Sequence, residues 1–189
     1  MKTTKTDHRS RYTQMTVREG LLKLLLLKPL NKIGVAEVCA VAGINRGTFY
    51  NHFYDVFDVY ESIESGFYEA VKDKLEGMKI YEFDKLFYKE ILLVIYKNTD
   101  LVRVILKSLP GNEFLKRIIV FVKDKFVKEW SENRKDIPLP MLEQVFSYSA
   151  NGAIGLISDW VISGMTRPLD ELSDLIGKLN GAVLAVMTR

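Results

Sequence analysis

Two short stretches with helical patterning, residues 35–42 and 46–51, are separated by only Gly43-Ile44-Asn45. A joint of three residues forces the two helices to cross steeply. Gly43 stands where the chain must leave the first helix, and glycine adopts a left-handed backbone there without steric cost. Asn45 is a good N-cap for the second helix. Ala36, Val38, Cys39, Ala42 and Ile44 supply small apolar groups for the contact between them.

The rest of the 189-residue chain also reads as helix. Strict apolar/polar alternation is absent, and no Asn-Gly or Asp-Gly hairpin signal lies between β-branched runs. Residues 10–27 place Val17, Leu21, Leu24 and Leu25 at helical spacing, stopped by Pro29. Asp55 is placed to cap a long helix with Val56, Tyr60, Ile63, Phe67, Val71 and Leu75 on one face, ending near Gly77. Residues 83–98 form an amphipathic helix through Phe83, Leu86, Phe87, Ile91, Val94 and Ile95. A short apolar piece at 101–106 precedes the turn signal Pro110-Gly111, and Asn112 can cap a helix to Trp130. Residues 131–138 read as a polar loop. Two last helices are expected at 140–163, closed by Gly164, and at 168–187, with Asp170 and Glu171 in the first turn where the helix dipole favours them. The expected fold is all-α: a three-helix head at residues 1–54, and a larger body of about six helices at 55–189.

Charge separates these two parts. Residues 1–54 carry nine Lys/Arg against three Asp/Glu, and residues 55–189 carry eighteen against twenty-one. The head is therefore the part suited to a polyanion, with a merely solvated basic face as the alternative. Two steeply crossed helices on a basic segment have the geometry of a helix-turn-helix, whose second helix enters the major groove by its N-terminal residues.

The run Ile33-Gly34-Val35-Ala36-Glu37-Val38, followed by Ala42-Gly43-Ile44-Asn45-Arg46-Gly47-Thr48-Phe49-Tyr50-Asn51-His52-Phe53, resembles the DNA-binding region of the TetR/AcrR family of bacterial transcriptional regulators. The resemblance covers residues 13–60. It implies a DNA site formed by Lys32, Asn45, Arg46, Gly47, Thr48, Tyr50, Asn51 and His52. Arg46 and Thr48 would reach base edges or phosphate, and an arginine paired with guanine contributes about 1–3 kcal/mol of discrimination. Tyr50 and His52 match positions that touch phosphates; half-buried packing is their alternative. Phe49 and Phe53 are expected in the core. Arg9, Arg11 and Thr16 are further phosphate candidates, or part of a solvated tail. Two positions depart from the family pattern. Val56 stands where a lysine usually faces the DNA backbone, and Gly34 replaces the usual Ser or Thr cap. Both changes remove phosphate contacts and flatten the salt dependence of binding.

In the last two helices, Ser147, Ser149, Ala150, Gly152, Ala153, Gly155 and Ser158, with Gly177 and Gly181, suggest close helix approach, since interior glycine costs about 1 kcal/mol. The resemblance implies a homodimer through a four-helix bundle here, with Gly152, Gly155, Leu156, Trp160, Leu172, Leu175, Ile176, Leu179 and Val183 at its face and Val186 adding apolar area. Packing within one chain is the alternative. Two heads on a two-fold axis would read an inverted repeat in double-stranded DNA. The aromatics Phe67, Tyr68, Phe83, Phe87, Tyr88, Tyr96, Phe114, Phe121, Phe126 and Trp130 suit an apolar pocket for a small apolar or aromatic effector, as the resemblance implies, or an ordinary core.

Enzyme chemistry is not expected. Two His and one Cys assemble no metal set of usual spacing, and neither G-x-S-x-G nor a phosphate-binding glycine loop is present. No cofactor is expected. Cys39 reads as a small core residue. The richest apolar run, residues 21–27, is interrupted by Lys23 and is too short to cross a membrane, and residues 1–11 are polar, so a cytoplasmic protein is expected. The reading is a transcriptional regulator, a repressor released by its effector. The alternative is a fold of the same type serving as a protein-binding adaptor or coactivator.

Overall fold

The computed structural model describes residues 5–78, 85–107, 113–133 and 135–188. Among these residues there is no strand. The helices are α1 (Lys5–Leu25), α2 (Val35–Ala42), α3 (Arg46–Tyr50), α4 (Val56–Glu76), α5 (Lys85–Lys97), α6 (Thr99–Lys107), α7 (Glu113–Asn133), α8 (Leu139–Ile162) and α9 (Leu169–Leu184), with single 3-10 turns at Leu30–Lys32 and Ala185–Thr188. The chain divides into two compact units, Met1–Phe67 and Tyr68–Arg189. The boundary expected from sequence, at residues 54–55, coincides with the start of α4. The units divide further along, within that helix.

In the first unit, α1 packs on α2 and α2 on α3. Val17, Leu21 and Leu25 of α1 meet a core of Ile33, Val38, Cys39, Phe49, Phe53, Val56 and Val59, all buried. Val59 belongs to the buried stripe of α4, whereas Tyr60 and Ile63 are only half-buried. Val56, Phe67, Val71 and Leu75, read as that face from sequence, are buried, and Val59, one turn before Ile63 on the same face, joins them. The helix α1 also starts earlier than expected, at Lys5.

In the second unit, α5 packs mainly against α9, α7 against α8, and α6 against α8. Phe126 lies 5.5 Å from Phe146 and 5.7 Å from Trp130, ring centre to ring centre. Phe87, Tyr88, Leu92, Leu142, Leu172 and Ile176 complete this core. Leu86, expected on the apolar face of α5, is exposed; Tyr88 and Leu92 take the inward positions. The apolar piece at 101–106 is a full helix, α6. The polar loop begins later than expected, since α7 runs on to Asn133. Phe83, Pro110, Gly111 and Asn112 lie outside the described residues. At the α8–α9 corner Gly164 has φ +83° and Met165 has φ +59°. The Met165 N–H donates to the Trp160 carbonyl at 2.8 Å and the Trp160 indole N–H to the Arg167 carbonyl at 2.8 Å, which fixes the corner.

Candidate nucleic-acid interface

The joint between α2 and α3 forms as its residue types dictate. Gly43 sits at φ +67°, ψ +33°, closing α2 in the left-handed conformation, and the Ile44 N–H donates to the Cys39 carbonyl at 3.0 Å. Asn45 then caps α3: the Thr48 N–H donates to Asn45 Oδ1 at 2.7 Å. Phe49, fully buried, and Phe53 anchor the short helix in the core, 5.9 Å apart. With those two rings inward, Arg46, Gly47, Tyr50 and Asn51 point to solvent together with Asn45, while Thr48 and His52 are half-buried. Tyr50 is 57% exposed and meets Phe49 only edge to face. Lys32, in the 3-10 turn before α2, is also exposed. The residues named from sequence thus lie on the outer side of α3 and the turn that precedes α2.

Several basic groups of the head are engaged internally. Lys28 pairs with Glu37 at 2.5 Å, and the Glu37 carboxylate accepts the Gly34 N–H at 3.0 Å, closing the start of α2. These two bonds hold the Glu37 carboxyl below its ordinary range. Arg18 donates from Nε to Ser62 Oγ at 3.0 Å and lies 5.9 Å from the Phe53 ring centre, tying α1 to α4 beside the end of α3. Its only sequence signal is the one-turn spacing from Gln14, whose amide oxygen lies 3.5 Å away. The Thr16 hydroxyl donates to the Thr13 carbonyl. Arg9, Arg11, Lys32 and Arg46 are exposed or half-exposed cations with no carboxylate partner among the described residues. Burial pushes the Cys39 thiol up, against the nearby Arg46 charge, so it stays neutral within the core.

Val56, the position that departs from the family pattern, is 6% exposed and packs inward. The start of α4 is closed by carboxylates instead: the Asp58 N–H donates to Asp55 Oδ1 at 2.9 Å and the Tyr54 N–H to Asp58 Oδ2 at 2.8 Å. Amide groups that elsewhere attract phosphate are therefore occupied by the protein's own acids.

In the second unit the residues expected at a dimer face separate into two sets. Leu172 and Ile176 are buried within the single chain because the inner side of α9 is covered by α5, and Trp160 of α8 is buried too, its indole N–H bonded to the Arg167 carbonyl. Gly152, Gly155 and Leu179 are exposed, and Leu156, Leu175 and Val183 half-buried, on the outer side of α8 and α9. An open groove of about 530 Å³ and a second of about 550 Å³ lie side by side on that surface. Of the aromatics considered for a pocket, Phe67, Phe87, Tyr88, Phe114, Phe126 and Trp130 are buried, whereas Tyr96 is exposed. No group of three metal-ligating side chains and no helix long and apolar enough to cross a membrane occurs among the described residues.

A helical protein with a capped helix pair, joined by three residues, on a basic head is the class that fold and site define. The model of the TetR-type transcriptional regulator C-terminal region matches residues 85–180, and the chain belongs to the TetR family of transcriptional regulators. Regulators of this family bind DNA and dimerise. Solved structures with the same fold include the dihydroxyacetone kinase operon activator DhaS, with a TM-score of 0.64 and 17% identity over 93% of this chain and 97% of that one. A TetR transcriptional regulator from Streptococcus agalactiae has a TM-score of 0.63 and 18% identity over the same shares. A proposed fatty acid metabolism regulator from Clostridium perfringens has a TM-score of 0.67 and 15% identity over 90% and 97%. No curated protein sequence matches the chain significantly.

Proposed function

We propose that the protein is a sequence-specific DNA-binding regulator that acts as a homodimer on an inverted-repeat operator and represses transcription until a small apolar or aromatic effector releases it. The observation that carries this reading is the outer side of α3. Its cap and its two buried phenylalanines leave Arg46 exposed at the helix start beside Gly47, Tyr50 and Asn51, with no carboxylate partner among the described residues. Arg46 is the base-reading residue, Gly47 admits the DNA backbone, and Lys32, Tyr50 and His52 hold phosphates. Residues 1–54 carry the DNA site; the helices beyond it carry dimerisation and the effector.

The test is binding of the DNA upstream of its own gene against random DNA at matched salt. Specific affinity should exceed non-specific affinity by at least about 1000-fold. Arg46→Ala should lower specific affinity by about 1–3 kcal/mol and relax base preference, with dimerisation unchanged. Equal operator affinity of variant and wild type removes Arg46 from base reading. The carboxylate-closed corner at Asp55 and Asp58 favours a second reading, a protein-binding adaptor. That reading requires no preference for any DNA and no dependence of binding on salt.

A further inference from the structure

The corner between α3 and α4 turns its rings outward. Tyr54 is 84% exposed, and Tyr50 and Phe57 are each more than half exposed. Among the described residues neither Tyr54 nor Phe57 meets another ring, and the Tyr54 hydroxyl has no hydrogen-bond partner. One exposed ring needs no explanation; three on a single corner form a patch that does.

The backbone beneath these rings is fixed. Phe53 before Tyr54 and Val56 after it are buried. The Tyr54 N–H is held by Asp58 Oδ2 at 2.8 Å, and the Asp58 N–H by Asp55 Oδ1 at 2.9 Å. With Val56 turned inward, the corner presents Tyr54 and Phe57 to solvent in its place. Aromatic side chains on a held backbone lose little freedom when they meet a partner. What that partner is follows from the adjoining surface. Tyr50 lies on the outer side of α3 with Arg46, Gly47 and Asn51, and the corner continues that side past the end of the helix. Because the two aspartates occupy its amides, the corner offers a phosphate neither a free helix start nor a cation.

We propose that Tyr54 and Phe57 hold the sugar–phosphate strand beside the groove that α3 enters: the Tyr54 hydroxyl donates to a phosphate, and both rings lie against deoxyribose carbons. The inference rests on the DNA reading above and adds to it an uncharged backbone contact where the family pattern has a lysine. Tyrosine is among the side chains that position proteins on the duplex backbone. Its ring covers apolar carbons while its hydroxyl meets the polar edge. A long, uncharged phenol also reaches a phosphate without bringing it onto the carboxylates of Asp55 and Asp58, which would repel it.

Counterion release supplies the test, because only cations contribute to the salt slope. The full chain is titrated by fluorescence anisotropy against the DNA upstream of its own gene and against random duplex, across a salt series. Y54F should weaken binding by roughly tenfold, two hydrogen bonds being lost per dimer. Y54A should weaken it by at least about 30-fold, the ring contact going too, and F57A should act in the same direction. These losses should be equal on both DNAs, with the slope unchanged. Y54K should steepen the slope by about 2, one cation being added per head. The Tyr54 variants change an exposed side chain and keep its N–H bond, and an unchanged urea midpoint checks the fold of all four. Y54A binding as tightly as wild type at every salt overturns the inference and leaves the DNA reading standing. Y54A weakening with a flatter slope overturns it too, since cation contacts have then been lost instead. Y54F at wild-type affinity overturns the hydroxyl bond, and F57A at wild-type affinity the part given to Phe57. A wild type that prefers no DNA and ignores salt sinks the DNA reading itself.

Discussion

Asn45 carries two duties that a single substitution can separate. Its amide oxygen caps α3 through the Thr48 N–H, and its exposed position puts it beside Arg46. Asn45→Ala removes the cap and should cost about 1 kcal/mol of stability, with operator affinity falling as the five-residue helix frays. Asn45→Asp keeps an acceptor of the same shape, so the urea midpoint should stay near wild type, while the added carboxylate repels phosphate and lowers affinity all the same. Urea unfolding and operator titration on both variants give the comparison. At this scale the sequence was informative where a residue type has one local job. Gly43 as a left-handed closure, Asn45 and Asp55 as caps, and Phe49 and Phe53 as core follow from chemistry within four residues. Arg18 was not legible in the same way, because its partners Ser62 and Phe53 lie more than thirty positions away and only the folded chain brings them together.

Among the helices, the joint of α2 and α3 is the most sharply determined. An Ala at position 43 would meet no atom within 4 Å, so its whole cost is backbone strain at φ +67°. Gly43→Ala should therefore destabilise the head by about 1–2 kcal/mol, and Gly43→Asn by less, since asparagine tolerates that conformation better. Chemical denaturation followed by circular dichroism reads both. Helix existence was plain from periodicity, but how far each apolar position turned inward was not. In α4 the expected Val56, Phe67, Val71 and Leu75 are buried while Tyr60 and Ile63 are only half so, and in α5 Tyr88 and Leu92 displace Leu86. The choice depends on which neighbour covers the helix, α9 in the case of α5, and a periodic pattern holds no record of its neighbour. Trp160, Leu172 and Ile176 illustrate the same point: their size suited an interface, yet they complete the core of their own chain.

For the molecule as a whole, the decisive quantity is how many cations each head offers to DNA. Arg18 and Lys28 are engaged within the head, and Val56 supplies no charge. Of the cations proposed for the DNA contact, Arg9, Arg11, Lys32 and Arg46 have no carboxylate partner among the described residues; with these four per head on phosphate, the slope of log affinity against log salt should be about −7 for a dimer on its operator. Lys32→Gln should reduce that slope by about 2 and weaken operator and random DNA alike, in contrast to the base-dependent effect of Arg46→Ala. Fluorescence anisotropy across a salt series reads the slope directly. The charge division of the chain marks the part suited to a polyanion; the reduction in usable charge became visible only through the internal partners of Lys28 and Arg18.

The lack of charge along both grooves of α8 and α9 bears on this protein's company in the cell. Many proteins refuse near relatives by setting like charges against each other, a device this surface does not possess. In the proposed dimer, selection along these grooves would rest on the fit of side chains. A paralogue with small residues at matching places would then pair with this chain as readily as an identical copy, and such mixed pairs would suit operators built from two unlike halves.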